Sequence, residues 1–210
     1  EHLNSTKTPI HPVVYLEGQR EGVEMQLALQ WNEGYSENIY AFANNINTIE
    51  GGTHLIGFKS ALTRVINDYV KKNNLLKKDD FTLSGDDARE GLTAVISVKH
   101  SDPKFESQTK VKLLSPEVEK IVGSVAYEGL MTYFDANPPV AKRIIDKSLN
   151  AARAREDLLR HLVAEIANRV VLVDEGQFDR QHVEHRGEHV RIDAQGEVIG
   201  INTAIATESG

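Results

Sequence analysis

The chain has 210 residues, is 40% hydrophobic and carries a formal net charge of −7 with no cysteine. That length suits one domain with an extension or two small ones, and the apolar share can fill a core. The composition excludes a disulfide framework and a thiolate metal site, and no run of about 18 apolar residues offers a membrane-spanning helix.

Glu1 to Tyr15 reads as an opening segment holding Pro9 and Pro12. Glu1-His2-Leu3 has no initiator Met and no signal-peptide pattern, so the chain reads as a fragment of a cytoplasmic protein. Val23, Met25, Leu27, Leu29 and Trp31 alternate with mostly polar residues, which makes one face of a strand apolar. Val13–Glu17 is its expected hairpin partner, with a turn through residues 18–22, and residues 38–44 form a third strand. Trp31 is expected in the core or at a domain interface. Glu50-Gly51-Gly52-Thr53 then breaks the pattern and opens a helix. There Leu55, Phe58, Leu62, Val65, Ile66 and Tyr69 recur at three- and four-residue steps, one buried stripe. Lys71 and Lys72 close it, favourably placed for the helix dipole.

Ser84 caps a short turn over residues 86–90, and Leu92–Lys99 is strongly strand-like. A loop from His100 to Leu113 carries Gln108-Thr109-Lys110. Within three residues it offers an amide, a hydroxyl and an ammonium, which suits a phosphate, although such a loop alone is ordinarily a solvated one. Ser115-Pro116-Glu117 is a helix start, with Ser as N-cap and Pro at the first helical position. That helix runs to about Phe134 and stops at Asn137-Pro138-Pro139; a second runs from Val140 through Arg155 and on toward Asn168. Val170–Val173 reads as a strand, and a final hairpin spans 190–202, turning at 194–196. For residues 13–155 the order of three strands, helix, strand, helix, helix implies a two-layer α/β sandwich. It is not a doubly wound nucleotide fold, because strand and helix do not alternate regularly.

A compositional seam lies near residues 154–157. All 13 lysines fall at or before Lys147, and residues 156–210 hold five basic residues, all arginine, against eleven acidic ones. Residues 156–210 are therefore read as an acidic tail, helix then β-hairpin, of open origin.

Several strings resemble the B subunits of DNA gyrase and topoisomerase IV, over residues 4 to about 155. They are residues 28–38 (ALQWNEGYSEN), 42–54 (FANNINTIEGGTH), 57–63 (GFKSALT), 86–98 (DDAREGLTAVISV) and 105–110 (FESQTK). The resemblance is to the family's transducer domain. It implies a ribosomal-protein-like α/β sandwich with a left-handed crossover, working inside an ATP-operated clamp of a type IIA topoisomerase. It further implies that Lys110 bonds the γ-phosphate of ATP and that Gln108 senses it or positions the attacking water. On this reading ATP and Mg²⁺ are bound mainly by a domain upstream of residue 1, the chain holds no cofactor of its own, and alone it neither hydrolyses ATP nor cuts DNA. The partners implied are DNA, a gyrase A-type breakage-reunion subunit and a second copy of the B-type subunit. The residues do not separate gyrase from topoisomerase IV.

Lys71, Lys72, Lys77 and Lys78 are the candidates for sequence-blind contact with the DNA backbone; the alternative is a solvated helix end beside Asp79 and Asp80. His182, His185 and His189 have metal-like spacing, but Gly187 interrupts them and no metal site is expected. Residues 196–205 resemble the hairpin that follows the nucleophile in HtrA-type trypsin-like proteases. Gly187 stands where the serine would fall, so protease activity is rejected. The competing functional reading is a non-enzymatic scaffold whose acidic tail binds a partner.

Overall fold

The structure is a computed structural model that describes residues 2–75, 83–174, 188–192 and 198–203, with side chains through residue 166. The chain divides into two compact units, Glu1–Ala154 and Arg155–Gly210.

The first unit is built on strands β1 (Val14–Arg20), β2 (Val23–Trp31), β3 (Asn38–Ala43), β4 (Ile46–Asn47) and β5 (Leu92–His100). They form one sheet in the order β1-β2-β5-β3-β4. Pairing is antiparallel except between β3 and β5, which run parallel across the connection that contains helices α1 (Thr53–Lys72) and α2 (Gly85–Arg89). Helix α3 (Pro116–Ala136) follows β5, and α4 (Pro138–Asp174) follows α3 after Asn137 alone. The protein is thus a mixed α/β chain with one five-stranded sheet and packed helices.

The alternation of β2 does what its spacing requires. Val23, Met25, Leu27 and Leu29 are buried on the helix face, while Glu24 and Gln26 are exposed. β5 lies between β2 and β3, and Ile96 and Val98 are fully enclosed there. The stripe of α1 buries Phe58, Leu62, Val65 and Ile66 in the same core that takes Val118, Val122 and Leu130 of α3. Tyr69 meets Phe134 edge to face at 5.5 Å, the favoured aromatic geometry. Trp31 is fully buried and donates its indole N–H to the Ala88 carbonyl at 3.1 Å. Its backbone N–H donates to His11 Nε2 at 2.9 Å, which leaves Nδ1 as the protonated nitrogen facing the Pro12 carbonyl. Burial, opposed by that carbonyl and helped by Arg143, lowers the pKa of His11.

Four sequence expectations change. The first hairpin turns over two residues, Glu21 and Gly22, both with positive φ, as a type I′ turn requires. Gly18 is therefore inside β1 and serves packing, because a Cβ there would lie 2.6 Å from Val125 Cγ1. The short β4 pairs with the end of β3 around Asn44 and Asn45, both at positive φ. Ser115 precedes α3 but makes no cap; its buried hydroxyl accepts from the Lys104 N–H at 2.9 Å. Val170–Val173, read as a strand, belongs to α4, since the periodic apolar positions 158, 159, 162, 163 and 166 carry the helix forward. Ser84 does cap α2: its hydroxyl accepts from Asp87 N–H at 3.2 Å while Asp87 accepts from Ser84 N–H at 2.8 Å, a reciprocal box.

In the second unit, β6 (Glu188–Ile192) pairs antiparallel with β7 (Val198–Thr203). His182 and His185 lie outside the described residues.

Candidate functional site

The segment between β5 and α3 is a hairpin rather than an open loop. Phe105 pairs with Leu113, Glu106 N–H donates to the Lys112 carbonyl at 3.0 Å, and Leu114 N–H donates to the Lys104 carbonyl at 2.7 Å. At the tip, Lys110 N–H donates back to the Ser107 carbonyl at 3.0 Å, and Lys110 itself sits at φ 54°. The left-handed residue turns the chain in one step and leaves the Gln108, Thr109 and Lys110 side chains in solvent.

The base of this hairpin is tied to the start of α1. Glu50 N–H donates to the Val111 carbonyl at 3.0 Å, Leu113 N–H to the Gly51 carbonyl at 3.1 Å, and Thr53 N–H to the Leu113 carbonyl at 3.0 Å. Gly52, at φ 131°, makes this approach possible, because a Cβ there would overlap the Leu113 backbone. Those bonds satisfy one of the free amides of the α1 N-terminus without a side-chain cap. No sequence pattern announced the pairing, although the doublet Gly51-Gly52 marked the place.

Charge on the hairpin is divided. Lys112 bonds Glu106 at 2.9 Å, which raises its pKa. Among the described residues Lys110 has no carboxylate within ion-pair distance; its ammonium lies 5.9 Å from the Phe105 ring centroid. The tip therefore presents one uncompensated cation beside an amide and a hydroxyl. That donor set fits a phosphate, with Lys110 and Gln108 the groups that would hold it. No three histidine or acidic side chains converge on a common point among the described residues.

Beneath the hairpin base, His54 is fully buried with Nε2 3.1 Å from the Thr48 hydroxyl. Its Nδ1 and the Thr53 hydroxyl are buried without a hydrogen-bond partner. Desolvation lowers the His54 pKa to about 4.

Of the lysine candidates, Lys71 and Lys72 lie in the last turn of α1. Lys72 is bound through both oxygens of Asp135 at 2.9 Å, and that bond raises its pKa. Lys71 is exposed, and Lys77 and Lys78 lie outside the described residues. The side chain of Arg64, which sequence reasoning passed over, stacks 4.2 Å from the Tyr127 ring centroid on the same pair of helices.

Comparison with known proteins identifies the frame. The sequence profile of DNA gyrase B matches residues 1–161. The chain is 56% identical over 156 residues to the DNA gyrase B protein of Bacillus mycoides, covering 74% of this chain and 39% of that protein. It is 58% identical over 157 residues to the Clostridium acetobutylicum gyrase B protein, covering 74% and 25%. The chain thus spans well under half the length of these relatives.

Among solved structures it is similar to the 43K ATPase domain of Thermus thermophilus gyrase B in complex with an aminocoumarin. The TM-score is 0.72 and identity 39%, over 76% of this chain and 43% of that one. It is also similar to the ATP-binding domain of topoisomerase IV from Francisella tularensis, with TM-score 0.60 and 27% identity, over 73% and 41%.

One expectation is overturned here. ATP and Mg²⁺ were assigned mainly to a separate upstream domain, leaving this chain without a cofactor; the match to the 43K ATPase domain places the region inside the gyrase B ATPase domain. The expectation that the chain alone is inactive has no support. The chain belongs to the DNA gyrase B family.

Proposed function

We propose that this chain is part of the ATPase domain of a gyrase B protein, and that it couples the nucleotide state to movement of the DNA clamp through Gln108 and Lys110. When bound, ATP supplies the terminal phosphate and Mg²⁺ offsets its charge. Lys110 offers that phosphate a compact positive charge, and Gln108 offers an amide to the phosphate or to the attacking water. The contact exists only while the phosphate is present, so it biases the domain between two orientations. The hairpin passes the bias to α1 through the bonds at Glu50, Gly51 and Thr53.

The observation that carries this reading is the uncompensated ammonium of Lys110 on a hairpin whose base is bonded to a helix start. The experiment is Lys110→Ala in the full-length gyrase B protein assembled with gyrase A. A lost charge-assisted bond costs about 1.5–3 kcal/mol, so ATP turnover should fall about 10- to 100-fold, and ATP-driven supercoiling with it. ATP-independent relaxation should persist. Unchanged supercoiling overturns the reading.

Within the ATPase domain, residues 1–155 are assigned to the transducer portion, with a left-handed connection from β3 through α1 to β5, and residues 156–210 to a separate acidic tail. A crystal structure with a right-handed connection would refute the first assignment. Partners in the whole protein are DNA, gyrase A and a second copy of gyrase B, in the cytoplasm. Lys71 and Lys72, with Lys77 and Lys78, are assigned to the DNA-facing side. Binding should weaken uniformly across sequences and with salt when they are replaced. A second reading, a scaffold whose acidic residues 156–210 bind a partner, draws on the eleven acidic residues gathered there.

A further inference from the structure

β1 is the outer strand of the sheet, seven residues long and paired with β2 on one side. The two-residue turn at Glu21-Gly22 fixes which of its backbone groups have no partner among the described residues. Arg20 and Val23 flank that turn as a hydrogen-bonded pair, and the bonded pairs recur at every second residue: Gly18 with Met25, Leu16 with Leu27, Val14 with Leu29. The N–H and C=O groups of Tyr15, Glu17 and Gln19 therefore point away from β2. Natural sheet edges are blunted by shortness, proline, bulges or inward charges. β1 has an unbroken register, no proline, and is longer than an average strand.

Beside this edge runs a groove of about 600 Å³ between β1 and α3. Its floor is apolar and half-buried: Leu16, Gly18, Val125, Gly129 and Tyr133. A Cβ on Gly18 would lie 2.6 Å from Val125 Cγ1, and one on Gly129 would lie 3.2 Å from Leu16 Cδ1. The two glycines let α3 lie directly over the edge strand and keep the floor free of upright side chains. Arg20 and Glu128 bridge one end at 3.1 Å. On the opposite face of β1, Glu17 accepts from the Tyr15 hydroxyl at 2.8 Å and has no cationic partner among the described residues.

We propose that the β1 edge is a docking site for an extended segment of a partner protein in which basic and small apolar residues alternate. The backbone of Tyr15, Glu17 and Gln19 specifies a strand, because another extended chain matches donors and acceptors repeating at every second residue. The carboxylate of Glu17 specifies a lysine or arginine opposite it. The groove specifies small apolar side chains on the alternate positions. The segment adds as a sixth strand, and its attachment is independent of the hairpin tip.

The test uses the full chain and a capped seven-residue peptide alternating valine and lysine, followed by ¹⁵N NMR and amide hydrogen exchange. Binding should slow exchange at Tyr15, Glu17 and Gln19 at least about tenfold, and change Leu16 and Gly18 little, because those amides are already in the ladder. Glu17→Pro removes one outward N–H and leaves every bond to β2 in place; it should abolish binding. Glu17→Lys keeps the backbone intact and should weaken the lysine peptide while admitting a valine–glutamate one. The proposal is overturned if the three outward amides are not protected, or if Glu17→Lys leaves the preference for lysine unchanged. It also fails if sedimentation shows the edge already occupied by a second copy of the chain.

Discussion

His54 gives the sharpest quantitative prediction. The imidazole is 0% exposed, and its Nε2–H faces the Thr48 oxygen at 3.1 Å. Thr48 donates its own hydroxyl hydrogen to the Ala41 carbonyl at 2.9 Å, so that oxygen is free to accept from the ring. Nδ1 keeps a bare lone pair with no partner. A proton added there would bury a charge and create a donor with no acceptor, and desolvation accordingly lowers the pKa from 6.5 to about 4. The folded protein thus resists a proton that the unfolded chain accepts. The associated stability is complete above pH 6.5, falls as the pH drops below it, and is exhausted near pH 4. Over that window the displacement amounts to about 3 kcal/mol. The assay is urea unfolding read by the fluorescence of Trp31, the sole tryptophan and a core residue, between pH 7.5 and pH 4. His54→Gln serves as the non-titrating reference, since both chains share every other ionising group. The stability difference should move by about 3 kcal/mol against the wild-type chain on acidification. A pH-independent difference, or a His54 ring resonance that titrates near 6.5, would refute the reasoning.

Gly52→Ala should cost more than about 1–3 kcal/mol, the price of the backbone conformation alone, because its Cβ also meets the Leu113 backbone. Gly22→Ala, at φ 79° with nothing within 4 Å, should cost about 1 kcal/mol. Only the first should shift the amide resonances of Phe105–Leu113. Trp31→Phe removes the indole N–H and leaves the Ala88 carbonyl buried without it; thermal unfolding should show a loss of about 2 kcal/mol. Ser84→Ala removes the hydroxyl half of the capping box and keeps the backbone bond from residue 84 to the Asp87 carboxylate; it should cost about 1 kcal/mol by urea titration, with increased hydrogen exchange confined to residues 84–90.

The fold was legible where burial has a period. The apolar alternation of β2 and the stripe of α1 became structure almost residue for residue, because each pattern has one arrangement that buries it. What escaped was set by contacts distant in sequence. Gly18 looked like a turn residue, since glycine beside Gln19-Arg20-Glu21-Gly22 is the ordinary composition of a loop. Its real constraint is Val125, far along the chain on α3. Ser115 carried a good cap signature, yet its hydroxyl is taken by the Lys104 amide across the hairpin. Val170–Val173 has strand composition, but a helix already under way at 158–166 continues through it, since propagation costs less than a new start.

The candidate site divides the same way. Gln108 and Lys110 stood out through the chemistry of their side chains and took their roles from resemblance, because an exposed tip buries nothing and leaves no periodic trace. The anchorage of that tip was invisible for a different reason: it consists of backbone bonds at Glu50, Gly51, Thr53 and Leu113, in which side chains take no part beyond the need for glycine at 51 and 52. Backbone pairing of this kind is nonetheless what an exposed lysine needs in order to do mechanical work. A flexible loop would absorb a pull on its tip as local motion. A hairpin closed by three cross-strand contacts and bonded to a helix start has few soft torsions, so in the proposed coupling a displacement of the tip would be carried to α1. The helix in turn packs along α3, with Gly57 against the Glu119 backbone and Tyr69 against Phe134, and a close-packed interface of that kind moves as a unit or repacks. In the proposed coupling, the identities on which this transmission would depend are Gly51 and Gly52, both at positive φ with a Cβ that would meet a neighbour.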